Sequence, residues 1–150
     1  MNINEDFKEI MEYAHFWNWL PDWNEVQKIY DKFPYSYSVL TPFAYSYLEE
    51  LIRSTTSEYG RELPDKEGNE IKRKVGIDLI NKAIHENRDN IEYISILKDM
   101  KKYYEKSKPN DCGNNRNSVN HGYLHSEFWS KESFEELIHD IARISKFAGF

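Results

Sequence analysis

The stretch from Ser130 to Phe147, SKESFEELIHDIARISKF, contains the clearest indication of the fold. Ser130 stands where a helix N-cap is expected, because its hydroxyl can accept a hydrogen bond from a backbone N–H of the first turn. The apolar residues after it recur every three or four positions, which places them on one face of an α-helix. They are Phe134, Leu137, Ile138, Ile141 and Ala142, followed by the small Ser145. The stretch predicts an amphipathic helix that packs against a core.

The same period recurs along most of the chain. It predicts further helices over about residues 4–20, 22–34, 41–64, 70–87 and 89–106. Asn4 is the predicted cap of the first, Asp22 with Glu25 a capping box, and Thr41 with Pro42 the start of the third. The segment YSYSVL at 35–40 is interpreted as a connector. Without strand–helix alternation, we predict an all-α, antiparallel bundle of about five to seven helices.

The length and composition indicate one folded domain over residues 1–150. Its N-terminal helical part, residues 1–34, is either an addition that acts as a lid or binds a partner, or simply part of the core. Aromatic residues make up 15% of the chain, which argues against disorder. A single cysteine, Cys112, excludes an intrachain disulfide and a cysteine-based zinc site. With no signal peptide and no apolar run of membrane-spanning length, we expect a soluble cytoplasmic protein without a membrane segment. No cofactor or metal site is predicted.

Charge is unevenly distributed. The net charge is −6, but residues 71–150 hold 14 basic against 12 acidic residues. Five of these lysines lie between residues 98 and 108, in KDMKKYYEKSK. This run indicates either a solvated helix face or a local strip that attracts phosphate, and the sequence leaves both open.

A polar cluster, NRNSVNHGY, occupies residues 115–123. Asn117 and His121 are one helical turn apart, and the preceding polar loop places Arg116 at or near a helix start. Arginine grips phosphate oxygens through its planar fork, and histidine exchanges a proton near neutral pH. Together with the backbone N–H groups of a helix start, these groups suffice to cleave RNA without a metal ion.

The spacing Arg116-Asn117-x-x-x-His121 resembles the R-x4–6-H motif of the HEPN superfamily (higher eukaryotes and prokaryotes nucleotide-binding), in which a polar residue commonly follows the arginine. His121-Gly122-Tyr123 further resembles the extended R-x4-H-x-Y form of HEPN toxins paired with minimal nucleotidyltransferase antitoxins. The resemblance covers about residues 114–147; elsewhere only helix order and length agree.

The resemblance implies a helical bundle that dimerises so that two motifs face each other, and metal-independent RNA cleavage. Arg116 and His121 would then be catalytic, with Asn117 and Asn120 in supporting or substrate-binding roles. Tyr123 would accept nucleotidyl groups that silence the toxin. Glu49 is either a surface partner of Arg53 at i,i+4 or a bundle glutamate that orients Arg116.

Three functions remain open from the sequence. The first is a HEPN ribonuclease, a homodimeric toxin or anti-phage effector that cleaves cellular RNA and has a cognate nucleotidyltransferase-type antitoxin. The second is a non-catalytic HEPN-like module that binds a protein partner or a nucleotide through the same groove. The third is an acidic, immunity-like adaptor with no nucleotide contact.

Overall fold

A computed structural model of the protein describes residues 2–60, 66–69, 72–106, 108, 111–122 and 125–150. This part of the chain is helical and contains no β-strand, so the prediction of an all-α bundle is confirmed. The helices are α1 (Ile3–Tyr13), α2 (Leu20–Lys32), α3 (Tyr37–Ser54), α4 (Gly76–Glu86), α5 (Ile91–Met100), α6 (Arg116–His121) and α7 (Lys131–Ser145), with 3-10 helices at Lys101–Tyr104 and Ser126–Phe128. None of the described helices is both long and apolar enough to cross a membrane.

Helix α7 is the centre of the bundle, packed against α1, α3 and α5. Ser130 caps it, since its hydroxyl accepts a hydrogen bond from the Ser133 N–H at 3.0 Å. Every residue of the predicted apolar face is buried: Phe134, Leu137, Ile138, Ile141, Ala142 and Ser145. The sequence pattern predicted this helix correctly, because the cap and the apolar face that it indicated are the ones found in the structure.

The first two helices begin and end at other residues than predicted. Asn2, rather than Asn4, caps α1, and the helix ends at Tyr13. Pro21 does not terminate it but lies in the first turn of α2. Backbone N–H groups there have no helical partner, so a proline, which lacks an N–H, is tolerated. The capping box predicted at Asp22 is wrong because α2 begins before it, at Leu20.

Helix α3 is shifted towards the N-terminus relative to its prediction. It begins at Tyr37, so the segment interpreted as a connector supplies its first turn, and Pro42 lies inside it. It ends at Ser54 because three successive hydroxyls bond back to the chain. Those of Ser54, Thr55 and Thr56 donate to carbonyls three residues earlier, at 2.6 to 2.8 Å. Such bonds compete with the helical ladder. Predicted helical residues 61–64 lie outside the described part.

Helices α4 and α5 are shorter than predicted. Val75 and Ile91 lie within the predicted helices but are 51% and 83% exposed, because one precedes α4 and the other is the first residue of α5. Asn90 caps α5 by accepting the N–H of Tyr93 at 3.0 Å. Residues 70 and 71, predicted as the start of α4, lie outside the described residues.

The N-terminal aromatic segment shares its core with the rest of the chain. Phe7 and Trp23 are fully buried in the same cluster as the residues of α3 and α7. Trp19 packs against the ring of Tyr47 at 5.1 Å, whereas Trp17 is 75% exposed. Of the alternatives for residues 1–34, the packing agrees with a contribution to the core that supports the other helices.

Candidate active site

Helix α6 carries the polar cluster and is short because both of its ends are fixed. At its start, the side-chain oxygen of Asn115 accepts the Ser118 N–H at 3.0 Å. The amide nitrogen of Asn115 donates to the carbonyl of Glu105 at 2.6 Å, which ties the cap to the chain after the first 3-10 helix. Gly122 ends the helix with a left-handed φ of 67°. Arg116 is thus the first helical residue, as predicted.

Arg116 points into the bundle and not away from it. One terminal nitrogen of its guanidinium lies 2.9 Å from Oε2 of Glu49 on α3, and its side chain is only 18% exposed. The other terminal nitrogen donates to the side-chain oxygen of Asn117 at 3.3 Å. Its Nε is buried and bonds no described residue. A charged fork is therefore held half-buried at one end of α6.

Glu49 is itself fixed by a second arginine. Its other oxygen lies 3.4 Å from Arg53, which also contacts Glu50 at 2.9 Å and Glu58 at 3.8 Å. Arg53 donates to the carbonyl of Lys74 at 2.9 Å as well. The Glu49–Arg53 pair was one of two predicted roles, as a surface pair. That interpretation is wrong about exposure, because the side chains are 11% and 8% exposed.

Tyr104 borders this ionic cluster, and the sequence did not single it out as a site residue. Burial and then the negative charge of Glu49 raise the pKa of its hydroxyl, although Arg116 and Arg53 act against them. The hydroxyl is buried and makes no hydrogen bond to a described residue. Tyr104 therefore remains a neutral wall of the cluster. In the sequence, the feature that could have drawn attention to Tyr104 is the aromatic pair Tyr103-Tyr104 within the lysine run.

The remaining predicted site residues lie towards solvent. His121 and Asn120 are exposed at the last turn of α6, and Asn117 is half-buried between them and Arg116. The structure thus brings Arg116, Asn117 and Glu49 into direct contact. It leaves the imidazole of His121 on the same helix at the surface. Tyr123 lies outside the described residues.

The loop before α6 is anchored by residues that the sequence did not single out. The hydroxyl of Tyr45 donates to the Gly113 carbonyl at 2.9 Å, and the Ser130 N–H donates to the Cys112 carbonyl at 2.7 Å. Gly113 has φ +91°, and a Cβ there would lie 2.9 Å from Cβ of Trp129. Only glycine fits this conformation and contact without strain. These contacts set the position from which Arg116 enters the bundle.

No protein-family model matches the chain, and neither a curated protein nor a solved structure matches it. Among the described residues, no three side chains of His, Cys, Asp or Glu are grouped as metal ligands would be. Function is therefore inferred from the residues themselves.

Proposed function

We propose that the protein is a metal-independent endoribonuclease of the HEPN type, acting as a homodimeric toxin or phage-defence effector on cellular RNA. The observation that supports this most is the ion pair between Arg116 and Glu49. It holds a guanidinium at the first residue of α6, while His121 is exposed at the last residue of the same helix. A purely solvating loop has no need of a buried carboxylate behind its arginine.

The proposed chemistry uses the two residue types in separate roles. The neutral imidazole of His121 takes the proton of a ribose 2′-hydroxyl, whose oxygen then attacks the adjacent phosphorus. The guanidinium of Arg116 stabilises the negative charge that develops on the phosphoryl oxygens. The bond from phosphorus to the 5′ oxygen breaks, and that oxygen takes a proton from water or from a second histidine. The products are a 2′,3′-cyclic phosphate and a 5′-hydroxyl.

Dimerisation follows from the number of groups that this reaction needs. One copy of the motif supplies one imidazole and one guanidinium, so a proton donor other than water has to come from a second copy. A two-fold interface between motifs would double both groups. We further propose that a cognate nucleotidyltransferase silences the enzyme by modifying Tyr123.

Alanine substitution of the two motif residues tests the catalytic role. Arg116→Ala and His121→Ala should each lower the rate of RNA cleavage in EDTA by roughly 10²–10⁴-fold, because each removes a group that acts in the transition state. His85→Ala and Arg88→Ala are matched controls: both are exposed near the end of α4 and form no ion pair with a described residue. They should cleave at the wild-type rate.

Mixing the two inactive variants asks whether the site is shared between copies. A heterodimer of Arg116→Ala with His121→Ala retains one intact arginine and one intact histidine, on different chains. Partial recovery of cleavage would show a composite site, and no recovery would indicate two sites each confined to one chain. Single variants as active as wild type would end the catalytic proposal.

A non-catalytic HEPN-like module is the second candidate, and one observation favours it. Glu49 and Asn117 already occupy both terminal nitrogens of the Arg116 guanidinium, so the ion pair is also consistent with a structural role. Such a module would bind a protein partner or a nucleotide without cleaving RNA. It predicts that wild-type protein leaves RNA intact in EDTA at every concentration at which it is dimeric.

A further inference from the structure

A polar pocket lies directly before α6 and is not used by the chemistry described above. It has a volume of about 290 Å³ and lies between the first 3-10 helix and the loop that leads to Arg116. Its lining includes Lys106 and Lys108, the amides of Asn114 and Asn115, and the carboxylates of Glu105, Asp111 and Glu136. Since Asn115 is the cap of α6, the pocket ends one residue from Arg116.

The two lysines of the pocket are available to a ligand. Lys106 and Lys108 are exposed, and neither amine pairs with a carboxylate of a described residue. Lys102, by contrast, is held by Glu136 and Asp140, each at 2.8 Å. Of the lysines that line the pocket, Lys102 is therefore held by carboxylates, whereas Lys106 and Lys108 are not. Uncommitted ammonium groups beside a polar cavity attract phosphate.

Asp111 requires a hydrogen-bond donor from the ligand, whereas the two lysines require an anion. It is 7% exposed, and its Oδ1 is buried without a hydrogen-bond partner among the described residues. A buried carboxylate oxygen left without a donor is costly and requires a partner. A bare phosphate cannot be that partner, because a carboxylate only accepts hydrogen bonds and repels an anion. The ligand must present N–H donors as well as a phosphate.

We infer that this pocket is a nucleotide subsite of a single-stranded RNA, with a phosphate on Lys106 and Lys108 and a base edge on Asp111 and Asn114. The inference rests on the proposed function for the identity of the strand. A volume of about 290 Å³ is at the lower end of ligand pockets and suits one nucleotide. The subsite would place a neighbouring phosphodiester beside Arg116.

The carboxylate also determines which base the subsite favours. Unpaired bases in RNA are read by hydrogen bonds on their Watson–Crick edges. Guanine presents two adjacent donors on that edge, N1–H and the N2 amino group, which match the two oxygens of a carboxylate. Adenine presents an acceptor at N1 beside its N6 amino group and so places a lone pair against Asp111. The subsite therefore favours guanine over adenine.

Binding of an RNA that cannot be cleaved tests the subsite apart from catalysis. The probes are fluorescent 2′-O-methyl tetranucleotides, UUGU and UUAU, measured by anisotropy at several salt concentrations. Lys106→Glu with Lys108→Glu should weaken binding of both at least about 10-fold. It should also reduce the salt slope by about 0.7 for each phosphate that the variant no longer neutralises. Lys8→Glu with Lys32→Glu makes the same charge change on α1 and α2, outside the pocket, and should bind as wild type.

Base choice is tested by two further variants. Asp111→Asn should remove the preference for UUGU over UUAU and leave the salt slope unchanged, and thermal unfolding checks that the variant is folded. Asn114→Ala, at an exposed position, should reduce the same preference if Asp111→Asn does not fold. Wild type that binds both probes equally would overturn the base assignment.

The two proposals fail in different ways. Probe binding that depends on Lys106 and Lys108, in a protein that cleaves no RNA, would retain the subsite and overturn the ribonuclease. RNA cleavage by a protein whose probe binding is unchanged in the pocket variants would retain the ribonuclease and overturn the subsite. Wild type that binds neither probe would overturn the subsite.

Discussion

Among individual side chains, Glu49 is the one on which the geometry of the candidate site depends. It separates two arginines, with one oxygen towards Arg53 and the other towards Arg116. Without its charge, two guanidinium groups would face each other in a poorly solvated space, where repulsion is weakly screened. Glu49 is therefore proposed to position Arg116 and not to touch substrate.

Replacing Glu49 by glutamine should separate positioning from stability. Glu49→Gln keeps the shape but loses the charge, so we expect kcat for RNA cleavage to fall on the order of 10–100-fold with little change in KM. Unfolding in urea should show a loss of about 1–3 kcal/mol. Glu50→Gln is the matched control, since Glu50 contacts Arg53 but not Arg116. A similar fall in kcat for both variants would contradict the positioning role.

Asp140 makes a different set of bonds, and these create a dependence on pH. Burial alone would raise the pKa of this carboxyl, but hydrogen bonds from Lys102, Tyr103 and Arg143 lower it below its usual value. Since the pKa is lower in the folded state, the carboxylate stabilises the fold above about pH 4. That stability is lost as the pH falls through the lowered value.

Asp140→Asn should therefore destabilise the protein by about 1–3 kcal/mol at pH 7, with a difference from wild type that shrinks below about pH 4. Urea unfolding of both proteins at about pH 2.5 to 7, a range that includes the usual aspartate pKa, measures this difference in stability. Asp99→Asn removes an exposed carboxylate from the same Arg143 and should stay near wild type at every pH. A pH-independent loss for Asp140→Asn would rule out the linkage.

The sequence predicted part of this side-chain arrangement. Arg116 at a helix start followed from the polar loop before it. The burial of Glu49 and Arg53 did not follow, because i,i+4 spacing reports that two residues share a face and not whether another helix covers it. The bond from Tyr45 to Gly113 spans 68 residues and leaves no local trace.

For the helices, the main lesson concerns their ends. The period of apolar residues predicted that helices exist, and α7 was predicted with its cap. Ends were misplaced where side chains redirect the backbone, as the hydroxyls of Ser54, Thr55 and Thr56 do after α3. The prediction at Pro42 failed for a related reason, since a proline marks a helix start only when the preceding residues are not already helical.

The entry to α6 offers a test of how strictly this helix is placed. Gly113→Ala adds a Cβ at φ +91° and 2.9 Å from Trp129, so we expect a loss of about 2–4 kcal/mol in urea unfolding. Gly122→Ala, at the other end of the helix, has a similar φ but nothing within 4 Å and should cost about 1–2 kcal/mol. Equal losses of stability in the two variants would mean that the contact with Trp129 does not restrict residue 113.

At the scale of the whole molecule, the main prediction is that the protein is a dimer. Light scattering should give twice the chain mass of 18.0 kDa at working concentrations, because the proposed site combines groups from two copies. His121→Ala should remain dimeric, as it removes an exposed side chain and not a core residue. A mass of one chain throughout a dilution series would exclude the shared site.

The packing of α7 on α1 has a consequence for how the chain is made. A contact at 3.0 Å joins Asp6 of α1 to His139 of α7, across 133 residues. Closing a loop of that length costs about 4 kcal/mol of entropy, and only a formed core offsets it. On the ribosome, helices α1, α3 and α5 emerge long before α7 and have no central helix to cover them. The nascent chain is thus expected to stay unassembled, and its candidate site incomplete, until α7 has left the exit tunnel.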